Sequence, residues 1–186
     1  ISRGKITKEK GDALLALMQQ HGLKADDIAK VTAHVHQGAI DVLGPVTDPQ
    51  TIHQSKFSMG FVLAQIAVLG RAALADFTEN SLKNKEIRDF HDRVSMVLDA
   101  EVDGAYPKRW LGRVSVQTKD GHHLECRVDT PKGDPGNTLS RAELEDKAQR
   151  LVGYSRAATP DEVKAVVARS WRLRDESSVR DFLAGR

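Results

Sequence analysis

Residues 114–128 read V-S-V-Q-T-K-D-G-H-H-L-E-C-R-V, and this stretch decides the fold class. Val114 and Val116 alternate with Ser115 and Gln117, and Leu124, Cys126 and Val128 alternate with Glu125 and Arg127. Period-two alternation marks half-buried strands. Asp120-Gly121 between the two runs signals a two-residue hairpin turn, which needs positive φ at both central positions. Working outward, Val31, Ala33 and Val35 alternate within 28–36, and Val94, Met96 and Leu98 do so further along, adding two more strands.

Around these strands the apolar spacing becomes helical. From Asp12, the residues Ala13, Leu14, Leu17 and Met18 recur at three-to-four spacing, and Gly22 supplies the stop. Residues 56–70 make a buried helix, and shorter helices follow at 74–80 and 85–91, the latter with Ile87 and Phe90 inward. Segments 38–50, 99–107 and 130–138 carry the Gly, Pro and Asp of loops. Ser140 with Glu143 and Thr159 with Glu162 form capping boxes, in which hydroxyl and carboxylate satisfy each other's orphan amides. They open helices whose inner faces are Leu144, Ala148, Leu151 and Val152, then Val163, Val166, Val167 and Trp171. A last short helix is expected at 179–183. The order implies an α+β fold: a small antiparallel sheet covered by helices in two layers, followed by C-terminal helices.

Composition narrows the function classes. Of 186 residues, 40% are hydrophobic and 29% charged, which excludes a wholly disordered chain. The formal charge of +2 is spread along the sequence and suggests neither a nucleic-acid nor a membrane surface. The apolar run 59–75 contains Gln65 and Arg71 and falls short of the roughly 20 apolar residues needed to span a bilayer. Cys126 is the one cysteine, so an intramolecular disulfide and a multi-cysteine metal site are excluded, and a reducing cytoplasm is the simplest setting. Residues 1–11 are polar, lack a signal-peptide core and start at Ile1. They are expected to be poorly ordered or non-native, and the start to be that of a fragment or a processed chain.

Few residues suggest chemistry. His34 and His36 share one side of a strand and read as solvent-facing; His122 and His123, after the hairpin turn, read as surface residues. Cys126 falls in register with Leu124 and Val128 as a small inward hydrophobe. Two places suit an anion. Lys56-Phe57-Ser58 opens the buried helix, where unpaired amides and the dipole favour negative charge. Lys132-Gly133-Asp134 lies in the rigid 130–138 loop. A capped helix with an exposed lysine, and a turn before a capped helix, account for the same residues. No catalytic group follows from spacing alone.

K-F-S-M-G-F-V-L-A (56–64), Gly70, Phe77, R-V-S-M (93–96), Asp120-Gly121, P-K-G-D-P-G-N-T-L-S (131–140) and E-L-E-D-K (143–147) together resemble the C-terminal part of the MmgE/PrpD family. That family includes 2-methylcitrate dehydratases, cis-aconitate decarboxylases and iminodisuccinate epimerases. The resemblance implies an α+β lid domain at 12–155 and C-terminal helices at 156–186 that pack on a helical domain or on a second copy. It implies a cofactor-free, metal-free, homodimeric lyase or isomerase of small polycarboxylates, inactive as this chain alone. Lys56, Ser58 and Lys132 are the expected substrate-binding residues. The family's Lys-x-Tyr-Pro segment and following His are absent from G-K-I-T-K-E-K-G (4–11), so Lys5, Lys8 and Lys10 inherit no role. Phe61 stands where some members carry an aromatic hydroxyl. These departures leave a second possibility, a non-catalytic α+β binding or dimerisation module, and the Trp171 stripe predicts self-association.

Overall fold

Alternating Val31, Ala33 and Val35, all 0% exposed, make one face of β1 (Ile28–Val35) the floor of the core. The computed structural model describes residues 5–175 and Ser178. β1 lies between β2 (Val94–Leu98) and β3 (Gly112–Thr118), with β4 (His123–Val128) outermost, in the order β2-β1-β3-β4. β3 runs antiparallel to β1 and to β4, as the hairpin requires, whereas β1 and β2 are parallel, so the sheet is mixed and not antiparallel throughout. A parallel pair needs a crossover of a dozen residues or more. Here that crossover carries α2 (Gln37–Leu43), α3 (Ile52–Ser55), α4 (Met59–Leu69), α5 (Glu79–Lys83) and α6 (Lys85–His91). The α+β class holds.

α4 is apolar all round, with Phe61, Leu63 and Ala64 at 0% exposed. Such a helix stays in solution only when covered. It packs against α6 and against α1 (Lys5–His21), and α1 also lies against β3 and β4. The helix expected from Asp12 therefore starts at Lys5, and Glu9 and Lys10 are fully buried. Contact with the sheet covers Glu9 and Lys10 within the stretch 1–11 whose polarity suggested disorder; its first four residues lie outside the described residues.

Three local expectations change. Segment 38–50 contains α2, because the Nδ1 of His36 accepts from the Ala39 amide at 3.2 Å and Ala39 and Leu43 are buried. Segment 99–107 contains α7 (Ala100–Ala105), because Asp99 accepts from the amides of Glu101 and Val102 at 3.0 and 3.1 Å. In the hairpin, Thr118 pairs with His122, leaving a three-residue loop with positive φ at Gly121 alone (92°). This is the turn-plus-bulge form of the hairpin.

The chain divides into two compact units after Thr138. Within the second unit α8 (Arg141–Ser155) pairs with α9 (Pro160–Trp171): the Trp171 indole donates to Glu145 at 2.8 Å and Arg141 lies 4.9 Å over its ring. Both capping boxes are present. Leu144 and Leu151, expected inward, are 41% and 45% exposed, and within this unit only Val163 of the described residues is buried. The helix expected at 179–183 lies outside the described residues. Among the described residues no helix is long and apolar enough to cross a membrane.

Candidate functional site

α1 and α4 approach so closely that a Cβ on Gly11 would meet the Ile66 side chain at 2.5 Å. Beside this contact opens a cleft of about 440 Å³, lined by Lys8 and Asp12 of α1, Val62 and Ile66 of α4, and by Lys56, Arg71 and Phe77. Its lining carries three cationic side chains and one carboxylate, and with Asp76, which pairs with Arg71, one positive charge is left uncompensated and favours an anion. Two cations are already paired: Lys8 with Asp12 at 3.5 Å, and Arg71 with Asp76 through contacts of 3.1–3.3 Å. Lys56 instead stands 5.9 Å from the Phe77 ring centroid, with no carboxylate of the described residues at ion-pair distance.

Of the residues singled out by sequence, Lys56 is half-buried on the cleft wall. Ser58 is 1% exposed and its hydroxyl accepts from the Phe61 amide at 3.3 Å, so it serves as the N-cap of α4. The backbone of Lys132 is tied to the same rim: its amide donates to Asp12 at 3.3 Å, and its carbonyl accepts from Lys8. The fold thus brings the 130–138 loop to the helix that lines the Lys56 cleft, a meeting across more than a hundred residues that no spacing announces. Phe61 is buried beside Phe77, with ring centroids 6.5 Å apart.

Two polar clusters escaped the sequence. In the first, Lys10 donates to Glu9 at 2.8 Å and to the Leu111 carbonyl at 3.1 Å, with both side chains fully buried. Burial pushes the Glu9 carboxyl above its ordinary pKa, against the opposing pull of Lys10. Nearby, His36 is 3% exposed, stacked on Tyr106 at 4.0 Å and edge-on to Trp110 at 5.9 Å. It is a core residue and not the solvent-facing one expected, because β1 ends at Val35 and the alternation stops with it. Its Nδ1 accepts the Ala39 amide, so the proton of the neutral ring sits on Nε2, where it meets no partner in the structure; Glu9 Oε2 is likewise unpartnered. Burial holds this imidazole below its ordinary pKa, helped by the charge of Lys10.

In the second cluster, on the opposite face of the sheet, His34 Nδ1 lies 3.2 Å from Asp99 and Nε2 2.7 Å from the Ser115 hydroxyl. The order Asp–His–Ser is that of a nucleophile relay, but Ser115 sits mid-strand, 3.3 Å from Glu125, whose charge opposes an oxyanion there. Arg113 binds both Asp99 and Glu125, one positive charge shared between two carboxylates. The cluster is a salt-bridge network spanning the strands. A charged side chain recurring on the polar face of adjacent strands was the one available signal for it. Cys126 packs partly buried against the core, and burial pushes its thiol pKa up, which disfavours the thiolate a nucleophile needs. Among the described residues no group of three or more His, Cys, Asp or Glu side chains converges to hold a metal ion.

The model of the MmgE/PrpD C-terminal domain matches residues 8–173. No curated protein matches the chain.

Proposed function

This chain belongs to the MmgE/PrpD family, as its C-terminal domain, and on that footing we propose that it is the lid part of a lyase or isomerase acting on small polycarboxylates, in the manner of a 2-methylcitrate dehydratase. The observation that carries the proposal is the cationic cleft with Lys56 on its wall. Removing a proton beside a carboxylate builds negative charge that fixed cations stabilise. Lys56 holds one substrate carboxylate. Lys132 joins it from the loop tied to Lys8 and Asp12. Ser58 fixes the turn that presents Lys56 by capping α4. The proton-transferring groups come from a helical partner domain, so the 186-residue chain alone gives no turnover.

The test is kinetic, on the full-length protein with 2-methylcitrate, cis-aconitate and iminodisuccinate as substrates. Lys56→Ala raises KM about tenfold with kcat little changed, the cost of one charge-assisted contact made equally in ground and transition states. An unchanged KM for every substrate turned over, or turnover by the isolated chain, overturns the proposal. One observation favours the second reading, a non-catalytic binding or dimerisation module: Phe61, in the place of an aromatic hydroxyl, is buried in the core and has no proton to give. On that reading the full-length protein turns over none of the three.

A further inference from the structure

β4 is an outer strand of the sheet, and its unpaired edge is complementary to itself. The Thr118 amide donates to the His122 carbonyl at 3.0 Å, and the β3–β4 register then runs unshifted from Gln117 opposite His123 to Gly112 opposite Val128. Antiparallel ladders alternate, so the backbone groups of Leu124, Cys126 and Val128 turn toward β3 while those of His123, Glu125 and Arg127 turn outward. The strand order gives these outward groups no neighbour, and the three residues are exposed. An open edge is a template for another strand unless a proline, a bulge, a cover or uncompensated charge blunts it. Here the first proline is Pro131, beyond the strand.

The charges along the edge are His123, Glu125, Arg127 and Asp129. Laid antiparallel on itself with Cys126 at the two-fold axis, the strand sets Glu125 against Arg127 of a second copy, His123 against Asp129, and Leu124 against Val128. A shift of two residues either way opposes Glu125 to Glu125 or Arg127 to Arg127. A shift of one sets outward backbone groups against groups already engaged with β3. Of these registers only the one centred on Cys126 satisfies both backbone and charge. In each copy Arg113 already holds Glu125 at 2.9–3.0 Å, and Arg127 holds Glu101 and Asp129, so the pairing adds a second partner to side chains already held in place. We propose that β4 pairs antiparallel with β4 of a second copy of this chain, joining two four-stranded sheets into one of eight strands with Cys126 on the axis.

The central pair is a non-hydrogen-bonded one, which brings the two Cys126 Cα atoms to about 4.5 Å, inside the disulfide range of about 4.4–6.8 Å. Oxidation of the full-length protein with copper–phenanthroline, followed by peptide mapping, is expected to yield a Cys126–Cys126 disulfide that Cys126→Ser lacks. In sedimentation equilibrium Glu125→Arg weakens the dimer about tenfold, since it sets like charges opposite each other twice. The exchange Glu125→Arg with Arg127→Glu restores association, with circular dichroism reporting that each variant is folded. A monomer at all concentrations, a dimer without the Cys126 disulfide, or a double exchange as weak as the single change overturns the proposal.

Discussion

A Cβ on Gly112 would lie 2.3 Å from the carbonyl oxygen of Glu9, a backbone atom held in place by α1. At Gly11 it would meet the terminal methyl of Ile66, which can rotate away. The two glycines therefore respond oppositely to the same change. Gly112→Ala costs about 1–3 kcal/mol through overpacking against fixed backbone. Gly11→Ala is neutral or gains up to about 1 kcal/mol from helix propensity, less the cost of moving Ile66. Chemical denaturation of both variants checks this, and equal losses would contradict it. The sequence distinguishes neither glycine, because what surrounds each comes from a segment far along the chain. The same holds for Ser58: its role as a cap is visible in the sequence, its complete burial is not.

The short helices α2 and α7 are built on caps more than on periodicity. Each has one or two buried residues, Ala39 and Leu43 or Val102, too few for an apolar period to show among the Gly, Pro and Asp around them. α2 depends on neutral His36. Burial holds that imidazole below its ordinary pKa, so the unfolded chain takes up a proton the folded chain resists. This contribution to stability is fully present above pH about 6.5, the unfolded value, and declines as the pH falls below it. His36→Asn keeps an acceptor for the Ala39 amide and removes the titration. The stability difference between wild type and this variant is expected to be constant above that pH and to narrow below it; thermal unfolding across pH 5–8 measures it. A difference independent of pH would show that the ring is not held neutral.

At the scale of the molecule, two units of unequal solidity share one chain. The first buries a continuous core from Leu14 through Phe61 to Val116, whereas the described residues of the unit from Leu139 rest on two capping boxes, one buried valine and the Trp171 contacts. Local opening follows buried apolar contact. Amides of α8 and α9 should exchange at least about a hundredfold faster than those of β1, β3 and α4 under native conditions, and uniform protection would contradict this. By itself the sequence determined the hairpin strands, the buried helix, both capping boxes, the α+β class and the family. The strands, the helix and the caps are each carried by neighbours within a few residues, where period and cap chemistry act, and the class and the family by the order of such segments along the chain. Tertiary structure alone decided that β1 and β2 run parallel, that α1 starts before Asp12, that His36 is core, and that Lys8, Lys56 and Arg71 line one cleft. Apolar spacing states which face of an element must be covered. It does not state which distant element covers it, or which polar groups that covering brings together.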